Sequence, residues 1–173
     1  MIITNRLLLR PVRLDEAEKI TSIITEKVSL WTSPMPWPYQ ISDAVSWISS
    51  TTDEERLGIF LSDNEEMIGM TNMPATNGDE VGFWINGQYE GNGYATEAAS
   101  AVMHYAFTDK KLDFLDSGVH YKNEGSKRVH EKLGFTVIAK EERFWPNKNA
   151  MVPVFVYRLD KNQWVRQENP NLI

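Results

Sequence analysis

Val81-Gly82-Phe83-Trp84-Ile85-Asn86-Gly87-Gln88-Tyr89-Glu90-Gly91-Asn92-Gly93-Tyr94-Ala95-Thr96-Glu97-Ala98 reads as a strand that passes through a glycine-spaced loop directly into a helix. Valine, isoleucine and two aromatics favour extended chain before the loop, and Ala95 and Ala98 favour helix after it. Such a junction points several backbone N–H groups, unpaired at a helix N-terminus, into one small volume that the helix dipole makes attractive to phosphate. Glycine at 91 and 93 lets a ligand approach the backbone closely. A G-x-G pair also serves a plain tight turn, and its place between a strand and an Ala-rich helix is what favours anion binding.

Upstream, residues 6–11 alternate weakly between polar residues and Leu and stop at a proline, as a first strand ending in a turn would. In 15–25, Ala17, Ile20, Ile23 and Ile24 recur at three- and four-residue steps and form one buried helical stripe. Residues 30–39 carry Pro34, Pro36 and Pro38 among the aromatics Trp31, Trp37 and Tyr39, so a loop with an apolar payload is expected. Those aromatics either line a substrate pocket or form a satellite core beneath the loop. Ser42 suits the N-cap of a short helix through Ala44, Trp47 and Ile48. Strand-like runs at 57–62, 67–73 and 81–85 are separated by turn-rich Asp63-Asn64 and Thr76-Asn77-Gly78-Asp79, which predicts an antiparallel meander. Downstream, a helix over 91–107, a strand over 114–121, a helix over 123–133 and strands over 136–143 and 151–159 complete the pattern. Gly134 is placed to close the second helix in the left-handed conformation. The expectation is a single α+β domain over 1–173.

Asn123-Glu124-Gly125-Ser126-Lys127-Arg128-Val129-His130-Glu131-Lys132-Leu133-Gly134-Phe135 is the second informative stretch. Ser126, Val129, His130 and Leu133 share one helical face, so Ser126 and His130 turn inward and need polar partners. Structurally, Asn123 is an N-cap and His130 a hydrogen-bonded core histidine. Together, Glu90-Gly91-Asn92-Gly93-Tyr94-Ala95-Thr96-Glu97-Ala98 and Asn123-x-x-Ser126-x-Arg128-Val129-x-x-Lys132-Leu133-Gly134-Phe135 resemble the general N-acetyltransferase (GNAT) superfamily. The resemblance is strongest to its branch of ribosomal-protein N-terminal acetyltransferases. The opening Thr4-Asn5-Arg6-Leu7-Leu8-Leu9-Arg10-Pro11 and the closing Val156-Tyr157-Arg158-Leu159 are similar to that branch, and residues 31–50 are so only loosely. The superfamily's loop pattern, Q/R-x-x-G-x-G/A, fits in two registers, one starting at Gln88 and one at Glu90. The Glu90 register leaves Gly93 and Ala95 as the small pair entering the helix, and needs Glu90 to turn to solvent and contribute its backbone amide alone.

The resemblance implies a mixed, twisted, mostly antiparallel sheet of about seven strands with helices on both faces, its fourth and fifth strands splayed to admit acetyl-CoA. It implies a pyrophosphate site along Glu90, Gly91, Asn92, Gly93, Tyr94, Ala95 and Thr96. The pantetheine arm would pair like an extra strand with Phe83, Trp84 and Ile85, where a backbone N–H polarises the thioester carbonyl. Asn123 would hold the arm from the other side, and Arg128, with Lys127, would reach the nucleotide phosphates unless that helix face is merely solvated. Ser126 or His130 would protonate the departing thiolate. Attack requires a neutral amine: an α-amino group with a pKa near ~8 needs little help, whereas a lysine-like amine near ~10.4 needs a base. Glu80, Glu141 and Glu142 are the proton acceptors on offer, each equally a surface residue. The expected partners are acetyl-CoA and an amine acceptor, a protein N-terminus or a small molecule bounded by Trp31, Trp37 and Tyr39; the chain is expected to be a monomer or homodimer.

Composition excludes other classes. With 18 Lys plus Arg against 24 Asp plus Glu, the net charge of -6 argues against general affinity for nucleic acid or an anionic membrane. The lack of cysteine excludes disulfides, a thiol nucleophile and a Cys-based zinc site. His104, His120 and His130 lack the close spacing of a metal site, so no metal is expected. No apolar run approaches ~20 residues and the start lacks the order of a signal peptide, which predicts a cytoplasmic protein. A dinucleotide-dependent oxidoreductase is disfavoured because the G-x-G follows an antiparallel meander instead of opening a Rossmann unit. A non-catalytic acyl-CoA-binding or sensor module of the same fold would keep both motifs, and stands as the alternative to an enzyme.

Overall fold

The computed structural model describes residues 1–32, 34–53 and 56–165. Leu7 and Leu9, two apart on strand β2 (Leu7–Pro11), share one face and are fully buried. With β1 (Ile2–Ile3), β3 (Leu57–Leu61), β4 (Met67–Thr71) and β5 (Phe83–Ile85), β2 forms an antiparallel sheet in the order β1-β2-β3-β4-β5. Strands β6 (Phe114–His120), β7 (Thr136–Trp145) and β8 (Ala150–Asp160) form a second antiparallel sheet with β8 in the middle. The sheets join just ahead of β5. There the Val81 N–H donates to the Asp116 carbonyl at 2.8 Å, and Glu80 and Asp116 form a parallel bridge. Beyond it β5 follows β4 while β6 follows β8, so the two strands splay as expected.

Helices cover both faces. On one, Ala17, Ile20 and Ile23 of α1 (Ala17–Ile23) and Ala44 and Ile48 of α3 (Ile41–Ser50) pack on Phe60, Met67 and Met70, beside α2 (Glu26–Trp31). On the other, Ala98, Val102, Met103 and Phe107 of α4 (Tyr94–Thr108) pack against Leu7, Leu9, Ile59, Ile68 and Leu115, with Leu133 joining from the end of α5 (Glu124–Lys132). Burial of each large apolar side chain stabilises the fold by about 1.5–3 kcal/mol. A short α6 (Lys161–Val165) follows β8. No helix among the described residues is long and apolar enough to cross a membrane.

The departures from expectation are local. The eighth strand is the two-residue β1, too short to show any periodicity. Helix α2, six residues long and capped by the Thr25 hydroxyl accepting from the Val28 N–H, puts Trp31 at a helix end instead of in a loop. Helix α3 is capped by Gln40, not Ser42, because the Asp43 carboxylate accepts from the Gln40 N–H at 2.8 Å. Helix α4 starts at Tyr94 and not at residue 91, because Gly91 and Gly93 hold left-handed φ of +80° and +82°. Asn123 does cap α5, and Gly134 closes it with a φ of 84°.

The glycine loop is held from beneath by the chain's opening residues. Glu97, in the first turn of α4, accepts from the Thr4 hydroxyl at 2.6 Å, the Arg6 N–H at 2.9 Å and Arg6 Nε at 2.7 Å. Arg6 Nη1 donates to the Asn92 carbonyl at 3.0 Å, and the guanidinium lies 4.6 Å over the Tyr94 ring. Burial opposes the charge on Glu97, but the bonds from Thr4 and Arg6 outweigh it and hold the carboxyl below 4.5. A carboxyl depressed in the folded state stabilises above its unfolded value, and that contribution disappears as pH falls through its folded value. The melting-temperature gap between the wild type and Glu97→Gln is therefore expected to be full at neutral pH and to narrow below about pH 4.5. A gap that holds constant into acid would show that the Glu97 charge does not brace the loop.

Candidate active site

Two left-handed glycines on either side of Asn92 force the chain from 91 to 93 to curl, and the curl ends as the N-terminus of α4. No described group of the protein accepts a hydrogen bond from the amides of residues 91–96. These six donors, with the positive end of the helix dipole behind them, suit an anion. Gly93 is the N-cap, so Gly93 and Ala95 are the small pair entering the helix. The Glu90 carboxylate pairs with Lys27 of α2, and its own N–H reaches the Gly87 carbonyl at 3.4 Å. Asn92 folds back on the loop, donating to the Tyr89 and Glu90 carbonyls.

The fork opens beside this loop. Strand β5 is the last in its sheet, so its outer edge is unpaired along Phe83, Trp84 and Ile85. Phe83 turns to the α5 side and stacks on His130, with centroids 5.3 Å apart, whereas Trp84 packs with the α1–α3 core. Across the fork, Asn123 Oδ1 accepts from the Ser126 N–H at 3.1 Å. Ser126 is partly exposed, and both it and Asn123 line the cleft. Arg128 is exposed without an ion-pair partner among the described residues, while Lys127 pairs with Glu124 at 2.7 Å.

His130 is 1% exposed and engages both ring nitrogens. Burial pushes its pKa below 6.5, against the Nδ1 bond to the Ser126 carbonyl at 2.7 Å. Nδ1 donates to that carbonyl, and Nε2 lies 2.8 Å from the Ser117 oxygen. The same hydroxyl lies 2.8 Å from the Val81 carbonyl, so His130 ties α5 to the root of the fork.

A continuous cleft of about 1270 Å³ runs from the glycine loop through the fork to the α1–α3 side. Trp31 and Tyr39 line its far half together with Trp47 and Trp84. Trp37 does not line it and is 45% exposed. Of the three aromatics of the proline-rich segment only Tyr39 both packs on the α1–α3 core and lines the cleft, as Trp47 and Trp84 also do. Trp47 was hidden in an ordinary helical stripe, and nothing local distinguishes a tryptophan that faces a cavity from one that faces a core.

Glu80 reaches this half of the cleft, both its oxygens accepting from Arg143 at 2.6 and 2.9 Å. Glu141 shares the same guanidinium at 3.0 Å. Arg143 crosses β6 over Gly118, where an added Cβ would lie 2.5 Å from Nη1. No sequence signal marked this arginine, because its partner lies 63 residues away. His120 is buried and neutral: burial, then the charges of Lys148, Lys122 and Lys127, lower its pKa to about 4. Among the described residues no group of three or more His, Cys, Asp or Glu is placed to hold a metal ion.

Comparison with known proteins agrees with this geometry. The family model "Acetyltransferase (GNAT) domain" matches residues 6–136. The protein named "Probable N-acetyltransferase YjcK" from Bacillus subtilis (strain 168) is 34% identical over 88 residues, 48% of this chain and 49% of that one, so the match spans about half of that relative. The acetyltransferase (GNAT family) from Bacillus anthracis superposes with a TM-score of 0.77 at 21% identity, covering 93% of this chain and 98% of that one. Mycobacterium smegmatis RimJ, solved in complex with CoA-disulfide, superposes with a TM-score of 0.75 at 21% identity, covering 96% of this chain and 85% of that one. With a splayed pair of strands, a glycine loop of free amides and a family model matching most of its length, the chain belongs to the GNAT family of acetyl-CoA-dependent N-acetyltransferases.

Proposed function

We propose that the protein transfers acetyl from acetyl-CoA to a primary amine, the α-amino group of a protein N-terminus or a small amine, by direct attack on the thioester. The observation that carries this reading is the joining, in one cleft, of the unpartnered amides of 91–96 with the splay of β5 from β6. The pyrophosphate of acetyl-CoA would take the amides, with Arg128 as the nearby free cation. The pantetheine arm would run along the outer edge of β5, with Asn123 opposite. A β5 N–H directed at the thioester oxygen would stabilise the charge that develops there.

The acceptor must attack as the free amine, and Glu80 and Glu141 are both committed to Arg143. The proton therefore leaves through water, which an α-amino group with a pKa near ~8 permits. As the N–C bond forms the C–S bond breaks, and the thiolate takes a proton from the Ser126 hydroxyl. His130 is less suited to that step, having both ring nitrogens engaged inside the fold.

Acetyl-CoA is expected to raise the melting temperature while NAD and ATP do not, since only a ligand of the folded state shifts unfolding. Gly93→Val is expected to abolish the shift in a protein that still melts cooperatively, because a β-branched residue at a φ of +82° distorts the loop that presents the amides. Equal shifts with NAD and acetyl-CoA would overturn the cofactor assignment. A shift without thiol release from any amine would identify a sensor module.

Ser126→Ala is expected to lower kcat about tenfold or more with little change in the acetyl-CoA KM, as loss of a proton donor acting in the transition state would. His130→Phe is expected mainly to destabilise, by about 1–3 kcal/mol, because the Ser126 carbonyl and Ser117 hydroxyl lose a buried partner. If Ser126→Ala stays fully active while His130→Phe loses both activity and the alkaline limb of the pH profile, His130 is the acid.

A further inference from the structure

The cleft changes chemistry on crossing the fork. On the α5 side its lining includes the cations Lys122, Arg128 and Lys132. On the α1–α3 side its walls are aromatic and its charges include Asp43 and Glu80. Arg143 does not neutralise that half, because Glu80 and Glu141 both hold the one guanidinium, and Asp43 has no ion pair among the described residues and accepts from the Gln40 N–H. Lys27 is bound to Glu90, His120 is uncharged at neutral pH, and Lys148, whose ammonium lies 3.0 Å from His120 Nε2 and 5.8 Å from the Trp31 ring, is not part of the cleft lining. Asp43 acts on the wall itself: burial, then the Asp43 charge, raises Tyr39 to about 12, so its phenol stays protonated. One half thus suits a polyanion, and the other a cation with an apolar body.

The far half is also walled off. Trp145 and Asn147, at the turn between β7 and β8, bond to the α2 end and the proline-rich loop. Trp145 Nε1 donates to the Leu30 carbonyl at 3.0 Å, and Asn147 Nδ2 donates to the Ser29 and Met35 carbonyls at 2.8 and 2.6 Å. A wall pinned in this way favours a compact occupant over a polypeptide that must continue outward. Between Glu80 and Trp84 on the same face of the β5 segment, Gly82 leaves a gap, where an added Cβ would meet nothing nearer than Asn72 Oδ1 at 3.5 Å. That gap gives an amine a path to the fork.

We infer that the acceptor is a small arylalkylamine, a primary amine a few carbons from an aromatic ring, with its ring among Trp31, Tyr39, Trp47 and Trp84 and its ammonium drawn in by Asp43. The inference rests on the acetyltransferase reading and adds the acceptor class to it. Indole and phenol faces favour both an aromatic body and a nearby cation. The ammonium first loses one proton to water. The nitrogen lone pair then forms the N–C bond as the C–S bond breaks, and a second amine proton balances the one taken by the thiolate. The products are the amide, free CoA thiol and one net proton.

The test is thiol release by the full chain at saturating acetyl-CoA, with 2-phenylethylamine, ethanolamine and short peptides beginning with Ser, Ala or Phe. The expected result is a kcat/KM for 2-phenylethylamine about tenfold or more above every other acceptor, the order of discrimination that burial of one ring supplies. Asp43→Asn keeps an oxygen to cap Gln40 but removes the charge, and is expected to raise the 2-phenylethylamine KM about threefold or more, with the acetyl-CoA KM unchanged. Trp47→Ala is expected to raise the KM for 2-phenylethylamine and not for ethanolamine. Preference for ethanolamine or a peptide would overturn the inference and leave the transferase reading standing. Absence of release with every amine, in a protein whose melting temperature acetyl-CoA raises, would overturn both.

Discussion

A short seam at the root of the fork governs the whole site: the Val81 N–H bonded to the Asp116 carbonyl and the Ser117 hydroxyl bonded to the Val81 carbonyl. They join two sheets that then part, so an edge of β5 lies open in the interior of a folded protein. An open interior edge is costly unless something pairs with it, which makes it a ready partner for an extended ligand. Both faces of the seam are reinforced. On the α5 face His130 bonds Ser117, and on the other Arg143 reaches over Gly118 to Glu80. Widening or closing the fork would break bonds on both faces, so its opening is set in advance of any ligand.

The glycine-loop end depends on a different kind of support. An ion pair as exposed as Arg6 with Glu97, where the arginine side chain is 44% exposed, contributes little as a Coulomb interaction. Its value is geometric. Glu97 gathers Thr4 and both ends of Arg6, and Arg6 in turn holds the Asn92 carbonyl, so the outward curl of the loop is fixed from its hidden side. Two positive-φ glycines alone would leave the loop many conformations.

What was legible in the sequence were features whose causes are local. The strand, glycine loop and helix of 81–98, the Asn123 cap, the Gly134 closure and the inward face of Ser126 and His130 all follow from spacing within a turn or two. Helix α2 escaped because six residues carry too little periodicity, and Gln40 displaced Ser42 as the cap because the acidic partner sits at 43 and not 45. The aromatic half of the cleft was harder to see. Trp31, Trp47, Trp84 and Arg143 come from four separate elements and meet through tertiary packing, which no local pattern encodes. Trp37, in the same proline-rich segment as Tyr39, shows the converse: composition marks a segment as unusual without saying which of its side chains face the cleft.

As the proposed acceptor site, the aromatic half of the cleft would face two demands that pull against each other. Carboxylates there attract an ammonium ion but also stabilise its charge, and a charged nitrogen has no lone pair with which to attack. Aromatic walls act the other way, since moving the nitrogen out of water disfavours the ion and lowers its pKa. The arrangement separates these effects in space. Asp43 sits on α3, whereas Glu80 is already bound by Arg143, so the carboxylate nearest the fork has little capacity left to hold an ammonium. On the reading proposed above, an amine moving inward past Trp84 would leave Asp43 behind and enter surroundings that favour its neutral form. The ion pair between Arg143 and Glu80 therefore reinforces the fork and, for the acceptor proposed above, would keep the carboxylate nearest the fork from trapping the amine in its unreactive state.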